Sequence, residues 1–514
     1  MAAALPRSAA GNHSPWLIAF VVSIASFMEV LDTTIANVAL RNIAGGLGAG
    51  QDESTWIITS YLISNAIILP ISGWLSTLIG RKRFYMICVA IFTGSSLMCA
   101  LSTNLPMMLF FRVLQGIGGG GLAPTEQSIF ADSFPPEKHA QAFALYGVTV
   151  VLAPAIGPYL GGWLTDTFSW HWIFLINVPV GLLSLTLIQL FVDEPAILAK
   201  DKDELLNSGI PLDWLGFVLT ASTFGFLQVV LDRFQQQDGF ASTSITMMFV
   251  VFVVSLIALI FWEWNHPRPA VDVKLFKLRS FSAANVVMFV IGFTLFSTTQ
   301  LIPQMTQELM GYDAMTAGKT LALGGLATTL MMPVAGLVVG RVIQPKWLVL
   351  TSLVISGMAM IHVSHLDTTA SLSDIALSRA YQAVSLPFLF VSITAAGYIG
   401  VPEDRNSQAS SILNLSRNLG GSVGVSFATT LLAWREQFHH ARLAEHISPL
   451  SRLPQDVTAS AAALAQQGQQ LVQPQAQLMG YLDIFWLFGV ACIALWPVAL
   501  LLKNLPQGGA AHGH

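Results

Sequence analysis

The sequence predicts an all-α membrane protein of about fourteen transmembrane helices, and three observations carry that prediction. The 514-residue chain is 54% hydrophobic and only 10% charged, with a mean hydropathy of +0.64, whereas a soluble domain carries roughly 25% charged residues. Apolar runs near the ~20 residues needed to cross a bilayer core recur along the whole chain, separated by short polar breaks. Backbone inside lipid must satisfy its own hydrogen bonds, which segments of this length and composition do as helices.

The runs begin with 16–38, 55–75, 84–101 and 107–130 and continue with 143–164, 172–192, 214–231 and 244–264. They finish with 283–303, 317–339, 347–362, 375–398, 409–432 and 480–502. The first run is too long for a cleavable signal and carries Glu29 and Asp32, so it reads as a retained helix. Basic residues such as Arg81, Lys82, Arg83, Lys138, Lys274, Arg341, Lys346 and Arg405 fall on one side of this arrangement. The smaller set on the other side includes Arg379 and Arg435, so both termini are expected in the cytoplasm.

The two ends of the chain echo each other. Gly73 and Leu75 followed by Gly80-Arg81-Lys82 are matched by Gly336-Leu337 followed by Gly340-Arg341. Arg112 and Gln115 recur as Arg379 and Gln382. Paired halves of this kind mark secondary transporters. The expected organisation is an N-terminal six-helix bundle (1–192), cytoplasmic linkers with an inserted helix pair (193–281), and a C-terminal six-helix bundle (282–514) with an external segment at 435–478.

Composition excludes several functions. The net charge of -4 is small and unclustered, so no nucleic-acid partner is expected. Cys88, Cys99 and Cys492 sit in apolar runs without metal-ligand spacing. Gly116, Gly118 and Gly121 fit a dinucleotide pattern but lie in an apolar helix, and the string Gly318-Lys319-Thr320 lacks the first glycine of a phosphate loop, with Asp313 in its place. No cofactor, no nucleophile–base constellation and no ATP site is expected, which leaves an ion gradient as the driving force and a transporter rather than an enzyme.

Glu29 and Asp32 are the sharpest chemical signal. Three residues apart, they share a helix face, and an acid inside a membrane costs about 2.5–3.5 kcal/mol on insertion scales and marks an ion path. Arg112 lies at similar depth. Asp32 is therefore the leading proton-coupling candidate, Glu29 the second and Arg112 their partner; a structural ion pair is the alternative. Arg417 and Asn414, one turn apart, could meet a polar substrate group. Met28, Trp56, Phe296 and Met332 are candidates for an adaptable apolar cavity wall. Pro154, Gly157, Pro158 and Gly161 suit a closely packed, bendable helix that moves. Glu126 is expected at the cytoplasmic interface, and Arg379 at shallow depth.

These strings resemble a known family. Gly73–Lys82 (GWLSTLIGRK) resembles the loop motif of the major facilitator superfamily, Arg112–Gly116 (RVLQG) its fourth-helix motif, and Gly147–Gly162 its antiporter motif. Leu31–Ala39 (LDTTIANVA) and Trp170–Pro179 (WHWIFLINVP) are similar to signatures of its fourteen-helix drug:proton antiporters. Val271–Lys277 and Trp434–Ala441 are similar to the branch that serves as inner-membrane component of Gram-negative tripartite pumps. The resemblance implies a major facilitator fold and proton-coupled efflux of hydrophobic drugs across the inner membrane. Expected partners are the lipid bilayer, a periplasmic adaptor (EmrA-like) and an outer-membrane channel. It adds Asn37 to the substrate-binding residues and Gly80 and Arg81 to those that govern conformation. Thr77 and Leu78 depart from the loop motif, where an acidic and a basic residue are usual. An exporter of one lipid, siderophore or metabolite, and a membrane scaffold or sensor, remain open as alternatives.

Overall fold

The computed structural model describes residues 14–193, 213–237, 239–267, 269–312, 314–367, 371–446 and 461–503. The N-terminal half contains α1 (Pro15–Leu47), α2 (Trp56–Ile79), α3 (Arg81–Ala100), α4 (Leu105–Ser133, with a turn at Gly120 and Gly121), α5 (His139–Thr167) and α6 (Trp172–Phe191). Next come α7 (Trp214–Arg233) and α8 (Thr243–Asn265). The C-terminal half contains α9 (Arg279–Glu308), α10 (Ala314–Val338), α11 (Pro345–Val363), α12 (Leu372–Gly397), α13 (Asn406–His446) and α14 (Ala461–Ala494).

Among the described residues, eleven helices are long and apolar enough to cross a membrane, and counting the bent α5 as one span makes twelve. The other two expected spans, α10 and α13, are helical and packed into the same bundle. The described apolar stretch of α10 is short, 323–338, and α13 mixes its apolar residues with Asn414, Arg417 and a run of serines.

α2 passes directly into α3 through Gly80, whose φ of 101° is open to glycine and strained for other residues. Arg81, the first residue of α3, is buried and forms an ion pair with Asp132 at the end of α4. α5 lies close against α1: a Cβ on Gly157 would stand 2.7 Å from the Thr34 Cβ, and one on Gly161 3.0 Å from the Ile35 Cγ2. Small residues at these positions let the backbones approach.

The inserted pair packs against itself and α7 leans on both halves. Leu69 of α2, Phe224 of α7, Leu259 of α8 and Leu415 of α13 share one apolar cluster. Thr59 of α2 donates to Asp232 of α7 at 2.5 Å, and Ser422 of α13 donates to Gln228 of α7 at 3.0 Å. The expected external segment 435–478 begins inside α13, where Arg435 pairs with Asp483 of α14 at 2.5 Å; residues 447–460 of that segment lie outside the described residues.

Candidate functional site

A cavity of about 660 Å³ lies between the two halves. Its walls come from α1, α2, α4, α5 and α7 on one side and from α9, α10, α12 and α13 on the other. Asn37, Ile58 and Leu231 line its outer part and Ala123 and Pro124 its floor, so it runs from mid-depth toward the end of the bundle opposite Gly80.

The Gly80 end is closed by direct contact between the halves. Gly73 of α2 has no room for a side chain, because a Cβ there would stand 2.6 Å from the Ser407 carbonyl oxygen of α13. Ser72 and Ser411 share a hydrogen bond of 3.0 Å across the same seam. Ser410 donates to the Pro124 carbonyl at 2.7 Å and Asn414 to Gln127 at 2.9 Å. On the other side of the bundle, Gly147 of α5 packs against Met332 of α10.

The two acids of α1 have different surroundings. Asp32 is 2% exposed and does not line the cavity. It accepts from Arg112 Nη1 at 2.8 Å, from Gln115 Nε2 at 3.0 Å and from Asn177 Nδ2 at 2.6 Å. Arg112 also donates to Gln115 Oε1 at 2.7 Å and to the Ile57 carbonyl at 3.0 Å, and sits 4.5 Å from the centre of the Tyr61 ring. The two charges are thereby matched and supported by further hydrogen bonds, which a buried ion pair requires.

Glu29 lines the cavity. It accepts from the Tyr61 hydroxyl at 2.8 Å and from Asn65 Nδ2 at 3.4 Å, and among the described residues it forms no ion pair. Across the cavity stand two arginines. Arg417 donates to the Tyr146 hydroxyl at 2.9 Å and Arg379 to Thr298 at 2.8 Å and to Gln382; both line the cavity. Arg379 is 7% exposed, enclosed by Gln382 and the threonines of α9.

Of the other expected site residues, Asn37, Pro154, Phe296 and Arg417 line the cavity. Met28 does not; it is buried beside Tyr61 and Phe92, on the face of α1 turned toward α2 and α3. Asn414 is in the closed seam instead, held by Tyr146 and Gln127. Trp56 sits under Arg233, and the Pro158 side chain lies outside the described residues. Glu126, expected at an interface, is fully enclosed. The sequence reading missed Tyr61, Asn65, Gln127, Tyr146 and Asn177. All are polar side chains inside apolar runs, and that was the available signal.

A cavity between two helical halves, sealed at one end and lined by an intramembrane acid, defines the class of secondary transporters. The family model of the Major Facilitator Superfamily matches residues 22–425, and the chain belongs to that family. It is similar to the multidrug export protein EmrB of Haemophilus influenzae, at 36% identity over 96% of this chain and 97% of that protein. It is also similar to the probable multidrug resistance protein EmrY of Escherichia coli, at 39% identity over 83% of this chain and 82% of that protein. The fold matches the crystal structure of the human organic anion transporter MFSD10 with a TM-score of 0.60 at 15% identity, covering 94% of this chain and 100% of that one; this likeness concerns the fold alone.

Proposed function

We propose that this chain is a proton-coupled multidrug exporter of the inner membrane, working by alternating access. The observation that carries the reading is the cavity itself, closed at the Gly80 end, open toward the other, with Glu29 in its wall. With the loops rich in Lys and Arg in the cytoplasm, the closed end faces inward and the cavity faces outward. The names of the EmrB and EmrY relatives support drug export. The division into two six-helix bundles with α7 and α8 inserted between them accords with the way α7 leans on both.

In this reading Glu29 is the acid that exchanges protons with the cavity. Asp32 and Arg112 form the charged anchor that fixes α1 against α4 behind it. Glu29 can gain or lose a proton without separating an ion pair, whereas Asp32 cannot. The wall around Glu29 combines apolar side chains such as Phe296 and Leu295 with a few polar ones such as Asn37 and Arg417, as adaptable small-molecule sites do. Helices α13 and α14 extend beyond spanning length, which supports docking to a periplasmic adaptor leading to an outer-membrane channel.

The test is transport in proteoliposomes with an imposed pH gradient and a panel of hydrophobic fluorescent drugs. Drug accumulation should follow the gradient and collapse when an ionophore dissipates it. Drug movement that ignores the gradient would remove proton coupling from the reading.

A further inference from the structure

Glu126 lies in the second half of α4 and has no exposed surface. Its Oε1 accepts from the Ser23 hydroxyl of α1 at 2.6 Å, and the Ser26 hydroxyl lies beside the same carboxyl. Among the described residues its Oε2 has no hydrogen-bond partner and no cation forms an ion pair with it. The titratable groups that interact with it are Tyr85 of α3, Glu29 of α1 and Tyr146 of α5, and the nearest cation to these, Arg417, is turned to the Tyr146 hydroxyl at 2.9 Å. An ionised carboxylate in this place would have hydroxyls as its sole compensation. Burying such a charge costs far more than burying the neutral acid.

The residues flanking Glu126 are the ones that close the cavity. Pro124 accepts from Ser410, and Gln127 accepts from Asn414, both of α13. Tyr146 donates to that same Asn414 at 3.1 Å. One stretch of α4 therefore presents Glu126 to α1 and the seam contacts to α13.

We propose that Glu126 is a second proton-binding site, separate from the cavity acid, and that a proton bound there is the condition for sealing the Gly80 end. This rests on the reading of the chain as an alternating-access transporter. When the seam opens, water reaches the carboxyl and the proton leaves to that side as hydronium. Before the seam closes, a proton must return to the carboxylate. The proton so bound is retained while the end is sealed, so Glu126 sets how readily the cycle proceeds at a given pH on that side, while Glu29 faces the drug cavity. By linkage, the sealed form binds one proton more than the open form at this position, so sealing weakens as pH rises.

The experiment places spin labels at Arg83→Cys on α3 and Val342→Cys after α10, exposed positions on opposite halves at the sealed end. Distances are measured by pulsed electron resonance in nanodiscs, in mildly acidic and mildly alkaline buffer. In the otherwise wild-type protein, a longer distance should grow in as pH rises. In Glu126→Gln, which keeps size and lacks the charge, that growth should be lost and the short distance should persist. Glu29→Gln should retain the growth, which separates this site from the coupling acid. Overturning results are a pH response in Glu126→Gln equal to wild type, or its disappearance in Glu29→Gln. Gradient-driven drug uptake by the unlabelled wild type, measured alongside, tests the transport reading independently.

Discussion

Arg112, at the cavity wall, holds the buried Asp32 at 2.8 Å in an ion pair, while Glu29, one turn earlier on the same helix, looks into the cavity with a phenol and an amide for partners. The two acids are close in sequence and unlike in circumstance, and the proposed division of their roles rests on that difference.

The first consequence concerns stability. Asp32→Asn leaves Arg112 as a buried cation without its charge partner, and breaking a buried pair in this way costs about 3–5 kcal/mol. The thermal transition of the detergent-solubilised protein should fall clearly. Glu29→Gln should leave it near wild type, because no ion pair is broken. Adding Arg112→Gln to Asp32→Asn should recover part of the loss. Equal transitions for Asp32→Asn and wild type would show that the pair is not a structural anchor.

Much of this site was legible in the sequence and some was not. The pair Glu29–Asp32, the partner Arg112 and the close glycines Gly157 and Gly161 followed from residue type and spacing, and the family from the resemblance of its motif strings. The different surroundings of the two acids did not follow, because Gln115 and Asn177 converge on Asp32 from α4 and α6. Met28 was assigned to the wrong face for a related reason. The apolar residues of α1 spread over lipid, core and cavity faces alike, so residue type alone does not place Met28. The enclosure of Glu126 and Arg379 depends on how α1 and α9 pack around them, and a hydropathy profile carries no such information.

Gly157→Val should reduce turnover without reducing the amount of protein in the membrane. The added branches meet Thr34 of α1, where even a Cβ would be 2.7 Å away. Initial export rates at matched protein levels should fall by about tenfold or more, since a wedge in a close helix contact blocks relative motion. Rates equal to wild type would mean that α1 and α5 do not move against each other.

Gly73→Val should hold the sealed end apart, because its side chain meets the Ser407 carbonyl and Ser411 of α13. A cysteine placed at Ser407 should then react with a membrane-impermeant maleimide applied from the cytoplasmic face of inverted vesicles. In the wild-type background the same cysteine should be protected. Equal labelling in both would place the seal elsewhere.

Gln473 of α14 donates to Glu436 of α13 at 2.7 Å, tying the extended ends of the two helices together. Deleting 455–473 should abolish co-purification with the periplasmic adaptor while leaving drug transport in isolated proteoliposomes. Retained co-purification would rule out this segment as the docking surface.

The most direct measurement compares uphill and downhill drug movement by Glu29→Gln in proteoliposomes. Downhill exchange of labelled drug needs the cavity and the moving seam, and it should persist at a rate close to wild type. Uphill accumulation against a drug gradient, driven by an imposed pH difference, needs an acid that exchanges protons with the cavity, and it should be lost. Uphill accumulation by Glu29→Gln at the wild-type level would contradict the assignment of Glu29 as the coupling acid.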